Sequence, residues 1–288
     1  ENFNILEKED VLINPRGKFE LTDRKGEKGI KLPYDYAEFK RYPAFPAVYP
    51  RIKSLLEDGD CYVIGHAVLN DVKYLNLESR RFRLPSFCFR FTDSQLLYMS
   101  HKKDFSRQYG LEHIAEDLGV EFTPHRAVDD AYATMRVVQA LCNEYNCSFS
   151  SLIKTLGVKP GTIANYGITR PQSSGMKAYN AECTAKKQAR SRARIKFFDN
   201  LSRKRIKRGG LMGGKTFTFS RMVEDVVETS VPLVDRIYEL GGKYSTHIEE
   251  CDYYVKGEAD DTVRTANAVS MGNIKILGLA DLKELLNV

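Results

Sequence analysis

Tryptophan is absent from the sequence, cysteine is sparse, and long apolar runs are missing. No stretch approaches the roughly 20 apolar residues needed to cross a bilayer, which excludes a membrane-spanning helix from the reading. The six cysteines, at 61, 88, 142, 147, 183 and 251, include no C-x-x-C pair and sit mostly inside apolar runs. That pattern excludes a zinc ribbon and a disulfide framework, and it points to reduced core thiols in a cytoplasmic protein. No segment recurs at a fixed period, so a solenoid is excluded as well.

What remains is a chain of 288 residues, 42% hydrophobic and 28% charged, long enough for one large domain or two smaller ones. Its net charge of +6 is unevenly spread. Between Ala181 and Arg208 stand eleven Lys or Arg against two acids, a surplus of nine, so the rest of the chain sums to −3. This basic segment is expected to be helical. Like charges so concentrated repel one another, and a polyanion partner accounts for them better than a solvated linker does. Lys186, Lys187, Arg190, Arg192 and Arg194 are the candidate nucleic-acid contacts, with salt-sensitive, sequence-independent binding expected.

Taken in order, Phe3–Leu6 and Val11–Ile13 read as a hairpin across Glu7-Lys8-Glu9-Asp10. Residues 18–46, rich in proline and aromatics, read as ordered loop with short helical pieces. Cys61-Tyr62-Val63-Ile64 is a short buried strand left through Gly65-His66-Ala67, with Asn70-Asp71 opening a helix. Phe87–Phe91 is a second strand with Asp93 at its C-terminal end, and Leu111–Leu118 a helix stopped by Gly119. Strands alternating with helices predict an α/β domain with a mixed sheet over residues 1–150. Residues 151–209 read as a connector followed by the basic helix, and 210–288 as a second small α/β domain.

Two polar stretches carry chemistry. His125 precedes Asp130 by five residues where loop becomes helix, a spacing of roughly 7 Å along a helix axis. Asp129 and Asp130 also suit the positive end of a helix dipole, a purely structural use. Asp71 lies at the C-terminal end of a strand, where open α/β sheets place their sites.

Together, Gly65-His66-Ala67-Val68-Leu69-Asn70-Asp71 and His125-x-Ala127-x-x-Asp130-Ala131 resemble the second and third motifs of the DEDD superfamily of 3′–5′ exonucleases, histidine branch. The resemblance covers roughly residues 1–148 and extends to the proofreading epsilon subunit of bacterial DNA polymerase III. It implies a ribonuclease H-like mixed sheet and two divalent cations, Mg²⁺ or Mn²⁺, with Asp71 and Asp130 as metal ligands and His125 as general base. A phosphodiester hydrolase needs such hard ligands and a base near neutral pKa. Asp93 is given no metal role, and His66 is expected to be structural. Ala67 and Asn70 depart from the Asn and Phe usual in the second motif, which bears on contacts to the terminal base. No D-x-E, the first motif, occurs on an apolar strand in these residues; the expectation is that it lies upstream of Glu1 and that the chain as written lacks half of the metal cage.

Over about 211–287 the chain resembles a BRCT module, through Gly214-Lys215-Thr216-Phe217, Gly241-Gly242-Lys243, Tyr254-Val255-x-Gly257 and Ile274-x-Ile276. The resemblance makes Ser220 the candidate phosphate contact, although residues 262–272 hold Arg264 and no lysine, and the tryptophan common in the last helix is missing. Docking to DNA ends or to a replication or repair protein is expected ahead of phosphopeptide binding. The function these resemblances imply is metal-dependent 3′–5′ hydrolysis of single-stranded ends, DNA ahead of RNA, releasing nucleoside 5′-monophosphates. An exoribonuclease and a non-catalytic adaptor that binds nucleic acid or protein are the alternatives.

Overall fold

Phe87, Phe89 and Phe91 alternate with Cys88 and Arg90, and the structure buries the three rings while exposing the two residues between them. A strand with one apolar and one polar face follows from that period of two. The computed structural model describes residues 3–17, 36–121, 126–207 and 209–288. The chain divides into two units, residues 1–180 and 181–288.

In the first unit, α1 (Tyr36–Phe39) and α2 (Phe45–Leu56) precede β1 (Val63–Gly65), α3 (Leu69–Arg81) and β2 (Phe89–Asp93). Then come α4 (Ser94–Lys102), α5 (Leu111–Asp117), α6 (Ala127–Glu144) and α7 (Phe149–Thr155). Four short strands follow, β3 (Val158–Lys159), β4 (Gly161–Ala164), β5 (Gly167–Thr169) and β6 (Gln172–Ser173), before α8 (Ser174–Ser202). The main sheet has the order β1-β2-β4-β5. β1 and β2 are parallel, with Gly65 opposite Asp93, while β4 runs antiparallel to both β2 and β5. The mixed sheet expected from the sequence is therefore present.

Three expectations change. Residues 3–13 form no strand, and the only pairing nearby is an isolated bridge of Asn14 with Ala44. The charges expected in the hairpin's turn are taken up elsewhere: Lys8 meets Asp129 at 3.1 Å, Asp10 meets Arg126 at 3.0 Å, and Arg51 holds both Glu7 and Glu9. Residues 151–173, expected as connector, instead supply a helix and four strands. Ile163 on β4 is buried against Phe89 and Phe91, so this hairpin completes the core of the first unit. Much of the expected loop over 18–46 lies outside the described residues, but Phe45 already begins α2.

Ser174 opens α8 because Ser173 Oγ accepts from Met176 N at 3.0 Å and Gly175 lets the backbone approach the Phe105 ring. A Cβ at 175 would lie 2.5 Å from that ring.

The second unit takes the C-terminal part of α8, then β7 (Thr216–Phe219), α9 (Arg221–Glu224), α10 (Val227–Glu239), β8 (Lys243–Tyr244), β9 (Tyr253–Val255), α11 (Val263–Ser270), β10 (Lys275–Leu277) and α12 (Leu279–Leu286). Its sheet is wholly parallel, in the order β10-β9-β7-β8. All four residues of β7 are buried, as a central parallel strand covered on both faces requires. Phe197 of α8 joins this core with Phe217, Phe219, Val234, Ile237 and Leu282.

Candidate active site

The turn after β1 is built tightly. At Gly65 a Cβ would fall 2.6 Å from Val68 Cγ2, so only glycine lets the chain double back here. Ala67 takes a positive φ of 49°, and Leu69 then starts α3 with Asp71 in its first turn. Asp71 keeps contact with solvent, yet the protein packed around its carboxyl pushes its pKa above the ordinary carboxylate value.

Asp93, opposite Gly65 at the end of β2, is the hub of this corner. Its Oδ1 accepts from Gln95 N at 2.9 Å, capping α4, and from Ala67 N at 3.1 Å. Burial raises its pKa, against the backbone N–H groups of residues 95, 67, 96 and 68, which favour the charged form. His66 Nδ1 lies 3.2 Å from Ser94 Oγ. Burial pushes the His66 imidazole below its ordinary value, opposed by a hydrogen bond with the Tyr109 backbone. Gln95 Nε2 donates to Tyr109 O at 2.7 Å. Sequence reasoning does not single out Ser94, Gln95 or Tyr109; the available signal is the run Asp93-Ser94-Gln95 at a strand's C-terminal end.

Asp130 sits half-buried in the first turn of α6, the helix that packs against β1. Its neighbour Asp129 is engaged by Lys8 at 3.1 Å and by Arg126 at 3.9 Å. His125 lies outside the described residues. Asp71 and Asp130 are hard oxygen donors of the kind Mg²⁺ or Mn²⁺ takes. Among the described residues, which leave out His125, no three His, Cys, Asp or Glu side chains come together to hold a metal. The donor chemistry of Asp71 and Asp130 fits a divalent ion.

In the second unit, Lys186, Lys187, Arg190 and Arg192 are exposed along α8, with Lys186 paired to Glu182 at 2.6 Å. Arg194 differs. It reaches Glu224 at 3.7 Å, lies over the Phe198 ring, and lines a groove of about 660 Å³ with Arg221, His247, Thr262 and Arg264. Ser220, the candidate phosphate contact, is fully buried and does not line that groove. One further pattern, Gly209–Thr216, spells G-x-x-x-x-G-K-T. A phosphate-cradling loop of that spelling opens a helix. Here it leads into strand β7, and Lys215 pairs with Asp252 at 3.1 Å, so the spelling carries no nucleotide site.

No curated protein and no solved structure matches the chain. Residues 34–138, which hold Asp71, Asp93, His125 and Asp130, match the family model RNase_T, described as Exonuclease.

Proposed function

We propose that the chain is a metal-dependent 3′–5′ exonuclease acting on single-stranded ends, DNA ahead of RNA, and releasing nucleoside 5′-monophosphates. The observation that carries this reading is that Asp71 stands in the first turn of α3, the helix that follows β1, and Asp130 in the first turn of the helix packed on β1, both inside the exonuclease match. Asp71 and Asp130 would hold the divalent ions, which neutralise charge on the scissile phosphate when bound. His125 takes the proton of the attacking water, work suited to an imidazole near neutral pH. The exposed cations of α8 hold the strand electrostatically. In this reading the all-parallel sheet of the second unit supports a BRCT-like module that docks on DNA ends or on a replication or repair protein. The setting is cytoplasmic; among the described residues no helix is long and apolar enough to cross a membrane.

The test is degradation of 5′-labelled DNA and RNA oligomers of matched sequence with Mn²⁺. A ladder shortening from the 3′ end, lost in His125→Ala with oligonucleotide binding retained, supports the reading. Faster loss of RNA makes the chain an exoribonuclease. The adaptor reading prevails if both oligomers bind and neither is cut.

A further inference from the structure

Three consecutive side chains at the end of β2 each hold a different piece of the corner that carries Asp71. Asp93 accepts from the Ala67 amide, Ser94 meets the His66 ring, and Gln95 donates to the Tyr109 carbonyl, with which the His66 ring also interacts. We infer that Asp93 is a positioning residue for Asp71, fixing the 65–68 turn through one carboxylate oxygen shared between two elements. This rests on the nuclease reading for its functional consequence, and on the hydrogen bonds alone for its structural one.

Three features of the turn make such a brace necessary. Ala67 sits at φ 49°, a conformation that strains a non-glycine residue and holds only where surroundings over-determine it. The turn cannot relax toward Gly65, because Val68 already fills the space a Cβ would take there. Val68 begins α3 without a side-chain cap. The Ala67 N–H to Asp93 Oδ1 bond fixes the turn from outside α3, beside the contact of Ser94 with the His66 ring. Asp71 follows four residues later, about one helical turn, so any slack at Ala67 is passed to its carboxyl.

The carboxylate does not need its charge for this task. It needs an oxygen that two amides can share. Asp93→Asn keeps that oxygen. Asp93→Ser keeps an N-cap for α4, because serine caps about as well as aspartate, but its hydroxyl is too short to reach Ala67 as well. The pair of variants therefore separates bridging from capping in a chain expected to fold in both cases.

Amide hydrogen exchange of the full chain is the readout. In Asp93→Ser, exchange over residues 66–72 should speed at least tenfold while 94–98 stays at the wild-type rate. In Asp93→Asn both segments should stay within about threefold of wild type. Wild-type protection over 66–72 in Asp93→Ser overturns the inference, as does an Asp93→Asn variant loosened as much as Asp93→Ser. On an oligomer the wild type degrades, Asp93→Ser should lower kcat at least tenfold with KM unchanged, and Asp93→Asn should restore it. A KM rise at constant kcat overturns the link to Asp71. If the wild type degrades nothing, the nuclease reading fails while the exchange comparison still decides whether the brace exists.

Discussion

The Glu224 carboxylate, fully buried in the second unit, meets the Arg264 guanidinium at 3.3 Å. Tyr244 Oη donates to the same carboxylate and Arg194 approaches its other oxygen at 3.7 Å, so four elements, α8, α9, β8 and α11, share one buried charge. Removing one partner of a buried charge set typically costs about 3–5 kcal/mol. Glu224→Ala should fall near the lower end, about 3 kcal/mol, since Arg194 and Arg264 keep some solvent contact and can hydrate. Glu224→Gln, which keeps an acceptor for Tyr244, should cost less. Urea unfolding of the full chain, followed through the second unit's transition, checks both.

The same buried acid divides the basic helix into two kinds of cation. Lys187 and Arg190 are exposed, whereas Arg194 is committed to Glu224 and to the Phe198 ring, 5.9 Å away. Lys187→Ala and Arg190→Ala should weaken single-strand binding and lower the slope of log K against log salt by about 0.7 for each phosphate no longer neutralised. They should leave unfolding unchanged. Arg194→Ala should shift unfolding of the second unit, because it strips a partner from a buried acid. Salt titrations that show no change of slope in the first two would make the helix a solvated face.

Where local pattern set the structure, the sequence was legible. The strand at Thr216–Phe219, the helix ending at Gly241-Gly242 and the last helix from Leu279 were all readable, because each is bounded by glycine and has one strong period. β8, only two residues long, has no such signal and exists because β7 offers it an edge. Residues 158–173 read as connector because Pro160, Gly161 and Pro171 look like punctuation. Yet Gly161 is there for close approach: a Cβ would lie 2.6 Å from Thr169 O and 2.7 Å from the Phe91 ring. The first hairpin failed for the opposite reason, since its acids and Lys8 have long-range ion partners that no local pattern reveals. At the candidate site, motif spacing singles out Asp71 and Asp130, while Asp93's grip on Ala67 depends on a strand register that the sequence does not display.

Asp104 offers a pH test of the loop beside Tyr109. Ser106 Oγ donates to it at 2.6 Å, and Tyr109 Oη and the Ser106 amide donate as well, holding its carboxyl down at about 2 against an ordinary 3.8. A carboxylate whose pKa falls on folding adds stability above its unfolded value and loses it as pH drops through the folded one. The melting-temperature gap between wild type and Asp104→Asn should thus be fully open above about pH 4 and close as pH falls toward 2. A carboxyl-carbon titration of Asp104 with its midpoint near the ordinary value would refute the assignment.

Ile163 decides whether residues 151–173 belong to the first unit. It is 1% exposed on β4, directly opposite Phe89 of β2 and packed with Phe91 in the core behind the Asp93 corner. Truncating such a side chain typically costs about 2–5 kcal/mol, whereas a change within a solvated connector costs almost nothing. Ile163→Ala should therefore lower the first unit's unfolding midpoint in urea and leave the second unit's transition in place. It should also speed hydrogen exchange in β2, because β4 supplies one of that strand's two hydrogen-bonded neighbours. A neutral Ile163→Ala would return the hairpin to the connector and leave β2 as the open edge of the sheet, with its row of amides unpaired.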